Sequence, residues 1–380
     1  NGNADSAAYN YELVLELEPE HSAAINNLGD LYESMGRYEE ALEMYRLSMA
    51  IDPGSPTHPY NVTSAARTLG LHDLADSALT LSQEKFPEHL YTPVAEAFNA
   101  YYRGDFDAAE VPTRLVAEHF PGFPSGNAKR FLASYAASRG HIRHAMALAD
   151  SSATDFAAGG AAFMVSTSLS NKSVAAWVGG KAESVVPELD RALQTAAVGA
   201  PRWEHAKLGF VALGYALAGR HAQARALLPT LDSLAIGGQT FPIEDDVRAV
   251  LALAEGDAEG TLAHVQRAQA RDHGIERVLE RLLAGDAYAA LGRWDDAAAA
   301  YERLASSYLV NWRDADVWAQ LLPLAHERLG DVYLTLADTA RAVEHLTAFA
   351  DFWVDADPEL QPRVAAARDL ASELSPALDN

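Results

Sequence analysis

The chain has 380 residues, 49% hydrophobic and 22% charged, with 25 Gly, 17 Pro and no Cys. That apolar content excludes a disordered chain. The missing cysteines exclude a disulfide scaffold, a thiol nucleophile and any Cys-ligated metal, and leave the compartment open. Asp plus Glu number 53 against 29 Lys plus Arg, a net charge of −24, so phosphate backbones are repelled and no nucleic-acid partner is expected. The longest uncharged run, Phe156 to Asn171, is too short to span a bilayer, so no direct membrane insertion is expected.

In chain order, residues 1–21 read as the trailing helix of a truncated repeat: Asp5 to Glu18 is helical in pattern and Pro19 stops it. Residues 22–121 hold three regular hairpins. Ile25-Asn-Asn-Leu28-Gly29-Asp-Leu-Tyr32 forms a first helix, and Gly36-Arg-Tyr38-Glu-Glu-Ala41-Leu-Glu-Met-Tyr45 supplies a turn and a second. Gly36, Gly70 and Gly104 are spaced by 34, as are Pro53, Pro87 and Pro121. A helix commonly ends on a left-handed residue, which only Gly adopts without steric cost. Five residues later Ala41, Ala75 and Ala109 let the paired helices approach, and proline ends the second helix.

Residues 122–277 continue as four divergent hairpins turning at Gly140, Gly180, Gly219 and Gly256, with Ala145 and Ala224 again in the small position. Residues 278–357 return to the pattern in Arg281-Leu-Leu-Ala284-Gly285-Asp-Ala-Tyr288 and His326-Glu-Arg-Leu329-Gly330-Asp-Val-Tyr333. Their turns fall at Gly292 and at Ala337, which stands where a glycine is expected; Ala297 and Ala342 follow five residues on. An insertion near 305–322 carries Trp312 and Trp318, and residues 358–380 read as a capping helix and tail. Nine hairpins, about nineteen helices and essentially no strand follow.

These residues are similar to the tetratricopeptide repeat: a large residue, Leu-Gly and Tyr on the first helix, then Ala and an aromatic on the second. The resemblance implies an all-α, right-handed superhelical solenoid of antiparallel hairpins in which each hairpin packs on its neighbours. It also implies a non-catalytic scaffold binding another protein or an extended peptide. A narrower resemblance is carried by Leu324-Ala-His-Glu-Arg-Leu-Gly-Asp-Val-Tyr333, Ala340-Arg-Ala-Val-Glu-His345 and Phe352-Trp-Val-Asp-Ala-Asp-Pro-Glu-Leu-Gln-Pro362. These look like the C-terminal repeat region of bacterial serine/threonine protein kinases and related signalling proteins, which implies a sensory or interaction region. No kinase signature occurs in the chain, so a kinase domain would lie before Asn1. The alternatives are that kinase reading for the parent protein and a structural subunit of an assembly. By that resemblance the region is either cytoplasmic or, behind a membrane span, extracytoplasmic. The oligomeric state is open.

Motifs for chemistry reduce to structure. Gly179-Gly180-Lys181-Ala182 lacks the hydroxyl and upstream glycine of a phosphate loop and sits at a turn. His141 and His144 lack a third ligand, and Ser125 follows Pro124 with no strand before it. Acidic pairs such as Asp245-Asp246 complement helix dipoles in first turns. No catalytic residue, metal or cofactor is expected.

In arrays of this family the first helices line a groove at positions 2, 5, 6, 9, 12 and 13 of each repeat. Here those positions include Asn26, Asn27, Asp30 and Glu33, then Tyr60, Asn61 and Arg67, then Tyr91, Phe98, Tyr101 and Tyr102. Asn27 and Asn61 recur at position 6, similar to an asparagine ladder gripping a peptide backbone. The rings offer an anchoring platform. The Lys and Arg of a carboxylate clamp are missing from Asn26 and Asp30. With the net charge, this points to a neutral or basic ligand in preference to an acidic one.

Overall fold

The computed structural model describes residues 2–194, 201–235, 242–272, 276–306 and 315–375; Trp312 lies outside them. Among the described residues are twenty α-helices and no strand. α1 (Gly2–Leu17) precedes three hairpins: α2 (Ser22–Ser34) with α3 (Tyr38–Ile51), α4 (Thr57–Thr68) with α5 (His72–Lys85), and α6 (Tyr91–Tyr101) with α7 (Phe106–His119). The next three pair α8 (Phe123–Ser138) with α9 (Ile142–Ala158), α10 (Val165–Val178) with α11 (Val186–Gln194), and α12 (Pro201–Leu217) with α13 (His221–Leu234). The last three pair α14 (Ile243–Ala254) with α15 (Ala258–Arg271), α16 (Val278–Ala290) with α17 (Trp294–Ala305), and α18 (Ala315–Thr335) with α19 (Thr339–Phe352). α20 (Gln361–Leu374) packs on α19.

The hairpin turns share one geometry. Gly36, Gly70, Gly104, Gly140, Gly180, Gly219, Gly256 and Gly292 all have φ between +68° and +80°. Each closes the preceding helix with paired backbone bonds, as where Gly36 N–H donates to Glu33 O at 3.0 Å and Arg37 N–H to Tyr32 O at 2.9 Å. Ala337 keeps this pair of bonds, through Leu334 O and Tyr333 O, and takes φ +57° to do so. A left-handed alanine costs roughly 1 kcal/mol more than glycine. Ala337→Gly is therefore expected to raise the stability of its unit by about 1 kcal/mol in urea denaturation; an unchanged or lower midpoint would contradict this.

The small positions after the turns are enclosed: Ala41, Ala75, Ala109, Ala145, Ala224, Ala297 and Ala342 are all 0% exposed. A second close approach lies along the first helices. A Cβ on Gly29 would meet the Tyr45 ring at 2.6 Å, and one on Gly285 the Tyr301 ring at 2.3 Å. Tyr45 and its neighbours Ala41, Val62, Ala65 and Ala75 form the core joining the first two hairpins.

The chain divides into two compact units, Asn1–Phe120 and Pro121–Asn380. In the first, α1 packs on α2, α3 on α4, and α6 on α4 and α5, so contacts run between neighbours. The second unit departs from that expectation. α8, α10, α12, α14, α16 and α18 pack in succession, and α18 then returns to α8 and also meets α10. The junction is polar: Gln320 Nε2 and Asn171 Nδ2 both donate to Ser134 Oγ, at 3.3 and 3.2 Å. Short side chains make the approach possible, since Ser134, Ala137, Ser138, Ala175 and Ala176 are all 0% exposed. A cavity of about 90 Å³ remains inside this unit, bordered by Thr167, Asn171, Phe210 and Arg277. It has room for a few waters, not for a peptide.

The acidic start of α14 does more than face a helix dipole. Glu244, Asp245 and Asp246 are buried. Glu244 pairs with His205 at 3.2 Å, Asp245 with Arg271 at 2.8 Å and Asp246 with Arg277 at 2.7 Å. Arg277 also holds Glu280 at 2.6 Å. The insertion tryptophan Trp318 is buried as well and donates from Nε1 to Leu304 O at 2.9 Å.

Candidate binding site

The expected groove residues lie on α2, α4 and α6 of the first unit, and the structure brings part of the set together. Asp30 and Glu33 stand one helical turn apart on α2 and meet over a residue from the paired helix. Tyr45 Oη lies 2.9 Å from Asp30 Oδ1 and 2.7 Å from Glu33 Oε2. Burial raises the pKa of both carboxyls, with the Tyr45 hydrogen bond opposing it. Burial and the two carboxylates push the Tyr45 hydroxyl well above its ordinary range. A phenol carries one proton, so it donates fully to only one of the two carboxylates at a time.

Beside this pair, Tyr60 on α4 and Tyr91 on α6 stack with ring centroids 4.8 Å apart and planes 20° off parallel, both half-buried. The Tyr60 hydroxyl is raised chiefly by burial; Arg67 lowers it, and Glu33, Tyr91 and Asp30 raise it further, so these groups share one electrostatic neighbourhood. Arg67 is buried, with its guanidinium 4.2 Å from the Tyr102 centroid and 5.5 Å from that of Phe98. Its Nη2 donates to Ser64 Oγ at 3.3 Å. The guanidinium is thereby fixed against the rings.

Other expected residues are placed differently. The ladder of Asn27 and Asn61 does not form. Asn61 Nδ2 donates instead to Asn26 Oδ1 at 2.9 Å and reaches Asp30 Oδ1 at 3.4 Å, while Asn27 is exposed. The reason is the burial of Asn26 and Asn61 between α2 and α4, where each amide must find a protein partner. Tyr101 is also withdrawn from any groove surface. It is 0% exposed, packed edge-on to Tyr102 and against Phe106, each at 5.4 Å between centroids. Tyr102 is buried beneath Arg67, and Phe98 is half-buried.

Groove counting along first helices missed Tyr45 because it belongs to a second helix. A signal for it exists. Gly29-Asp30 precedes Tyr45 as Gly285-Asp286 precedes Tyr301, and Tyr301 Oη donates to Asp286 Oδ1 at 2.6 Å. The glycine admits the ring and the aspartate receives its hydroxyl. Only the first copy adds a second carboxylate, Glu33, to the same hydroxyl; position 289 is Ala.

In the second unit the first helices pack on one another and α18 closes on α8, twelve of whose sixteen residues are buried. Among the described residues no group of three or more His, Asp or Glu is arranged to hold a metal ion, and no helix is long and apolar enough to cross a membrane.

Tetratricopeptide repeat family models match residues 1–58 and 281–308. No curated protein matches the chain. Among solved structures, it is similar to a tetratricopeptide repeat protein from Parabacteroides merdae at 15% identity, over 75% of this chain and 93% of that one, with a TM-score of 0.43. The Cut9–Hcn1 hetero-tetramer of the APC/C shares 13% identity over 96% and 81%, with a TM-score of 0.40. Yeast Tom70 shares 11% over 95% and 97%, with a TM-score of 0.31. Scores this low carry no argument; the hairpin architecture rests on the helices, turns and packing described above.

Proposed function

We propose that the chain is a non-catalytic protein- or peptide-binding scaffold and that the first-helix face of its first unit docks a segment carrying Lys or Arg. The observation that supports this most is the pair of carboxylates, Asp30 and Glu33, gathered on the single hydroxyl of Tyr45. Beyond that hydroxyl, Asp30 has the long 3.4 Å contact from Asn61 Nδ2 and Glu33 the more distant charge of Arg67, and a guanidinium or ammonium placed directly on both carboxylates would add the counter-charge they lack. The stacked Tyr60 and Tyr91 stand beside them and offer a face to the same cation and area to its apolar stem. The net charge of −24 favours approach of a basic segment over long range.

A random peptide library panned against the whole chain is expected to return sequences enriched in Lys or Arg. Asp30→Asn with Glu33→Gln should weaken the selected peptides about tenfold or more, the scale of a charge-assisted hydrogen bond. Binding needs ionised carboxylates, and burial has raised both. Affinity should therefore start to fall, as pH is lowered, above the ordinary carboxylate range. Selected peptides that bind the double variant as tightly as the parent would end this reading. The likeness of residues 324–362 to the repeat regions of bacterial kinases supports placing the scaffold in a larger signalling protein, which sequencing the coding region upstream of Asn1 would test.

A further inference from the structure

His326 on α18 and His345 on α19 face each other across the last hairpin, with Nδ1 of one ring 3.0 Å from Nδ1 of the other. At that distance one nitrogen donates and the other accepts, so a single proton lies between the two atoms. Both rings are half-buried against aromatic neighbours. Tyr333 stacks on His345 at 5.5 Å between centroids and 10° between planes, and the Phe352 ring is 5.7 Å from that of His326. Among the described residues no carboxylate holds either imidazole. The charges around the pair are engaged elsewhere. Glu302 of α17 accepts from the Tyr333 hydroxyl, and Arg341 of α19 donates to Asp338 at 2.7 Å and to Tyr333 Oη at 2.9 Å, while Glu344 is exposed. On α18, Glu327 takes Arg363 of α20, and Arg328 pairs with Asp286 of α16 at 3.1 Å. The junction of α18 with α8 and α10 runs through Ser134, Asn171 and Gln320, all uncharged.

From this geometry we infer that the pair is an acid-sensitive latch on the last hairpin: one added proton can settle on an outer ring nitrogen and leave the shared bond intact, whereas a second sets two N–H donors against each other and parts α19 from α18. Burial, and after it the neighbouring His345, lowers His326 from 6.5 to about 4. Burial also lowers His345; Glu344 and Glu302 oppose this, and Arg341 adds to it. Imidazoles lowered in the folded chain stabilise the closed hairpin fully above the ordinary value of 6.5. That stability is lost as pH falls from there toward the folded value of about 4. The latch therefore holds at neutral pH and weakens on mild acidification.

The test uses the full chain. Protection of the α19 amides is taken as the ratio of intrinsic to observed exchange, so that the pH dependence of the exchange chemistry cancels. In the parent it should fall about tenfold or more between about pH 7.5 and about pH 5. In His326→Asn/His345→Asn, which keeps a hydrogen-bonding amide at each position and takes up no proton, that fall should disappear, whatever the variant's absolute stability. Should the variant not fold, the imidazole proton resonances of the parent decide: both rings should titrate below the ordinary histidine value. The inference is overturned if α19 protection is the same at both pH values, or if the double variant keeps the parent's fall. It is equally overturned if the two rings titrate at the ordinary value. Both histidines belong to the second unit, so failure here leaves the proposed site at Asp30 and Glu33 standing.

Discussion

Gly140→Ala is expected to destabilise the second unit by about 3 kcal/mol or more, while Gly219→Ala, chemically the same change at an equivalent turn, costs about 1 kcal/mol. Both glycines are left-handed, at φ +75° and +73°, so the backbone penalty is shared. Their surroundings differ. A Cβ on Gly219 meets nothing within 4 Å, whereas one on Gly140 would lie 2.4 Å from Ala356 Cβ and 3.2 Å from Ala356 Cα. Relief needs a shift of the 353–360 backbone, which the buried Trp353 and the Asp357–Gly140 hydrogen bond resist. Urea titration of the two variants separates the effects; equal losses would mean that Gly140 is only a turn.

The second large effect is expected at Arg277. Its guanidinium holds Asp246 at 2.7 Å and Glu280 at 2.6 Å, and all three residues are buried. Arg277→Met leaves two carboxylates enclosed without that counter-charge and should cost about 3–5 kcal/mol. Replacing the acids too, in Arg277→Met/Asp246→Asn/Glu280→Met, should recover most of the loss, because a buried ion cluster contributes little net stability over an apolar one of similar size. Thermal melts of the single and triple variants decide the matter. A single variant as stable as the parent, or a triple variant worse than the single, would contradict it.

What could be read from the sequence was local. The turn glycines and the alanine five residues on are set by contacts within one hairpin, and they recur where the period placed them. Even the exception at Ala337 follows, since the backbone keeps the left-handed turn when the residue is not glycine. The return of α18 to α8 was not legible. Ser134 and Gln320 are 186 residues apart, and His141 and Asp355 214 apart. A serine, a glutamine and a turn glycine look alike at an open surface and in a junction. The site was legible in part. Asp30, Glu33, Tyr60 and Tyr91 are placed by helix register alone, whereas the burial of Tyr101 depends on Phe106 across the turn and the pairing of Asn61 with Asn26 on how two hairpins meet.

The packing of residues 353–360 on Gly140 and that of α18 on α8 both depend on the last hairpin of the second unit returning to its first. Because the chain has no cysteine, single cysteines can be introduced at the exposed His144 and Val354 and carry nitroxide labels without competing thiols. Dipolar spectroscopy on the doubly labelled chain should then show one short, narrow distance, set by two labels on touching elements. An open row would place those positions five hairpins apart, several tens of ångströms at roughly 10 Å per packed layer; a distribution centred there would contradict the closed second unit.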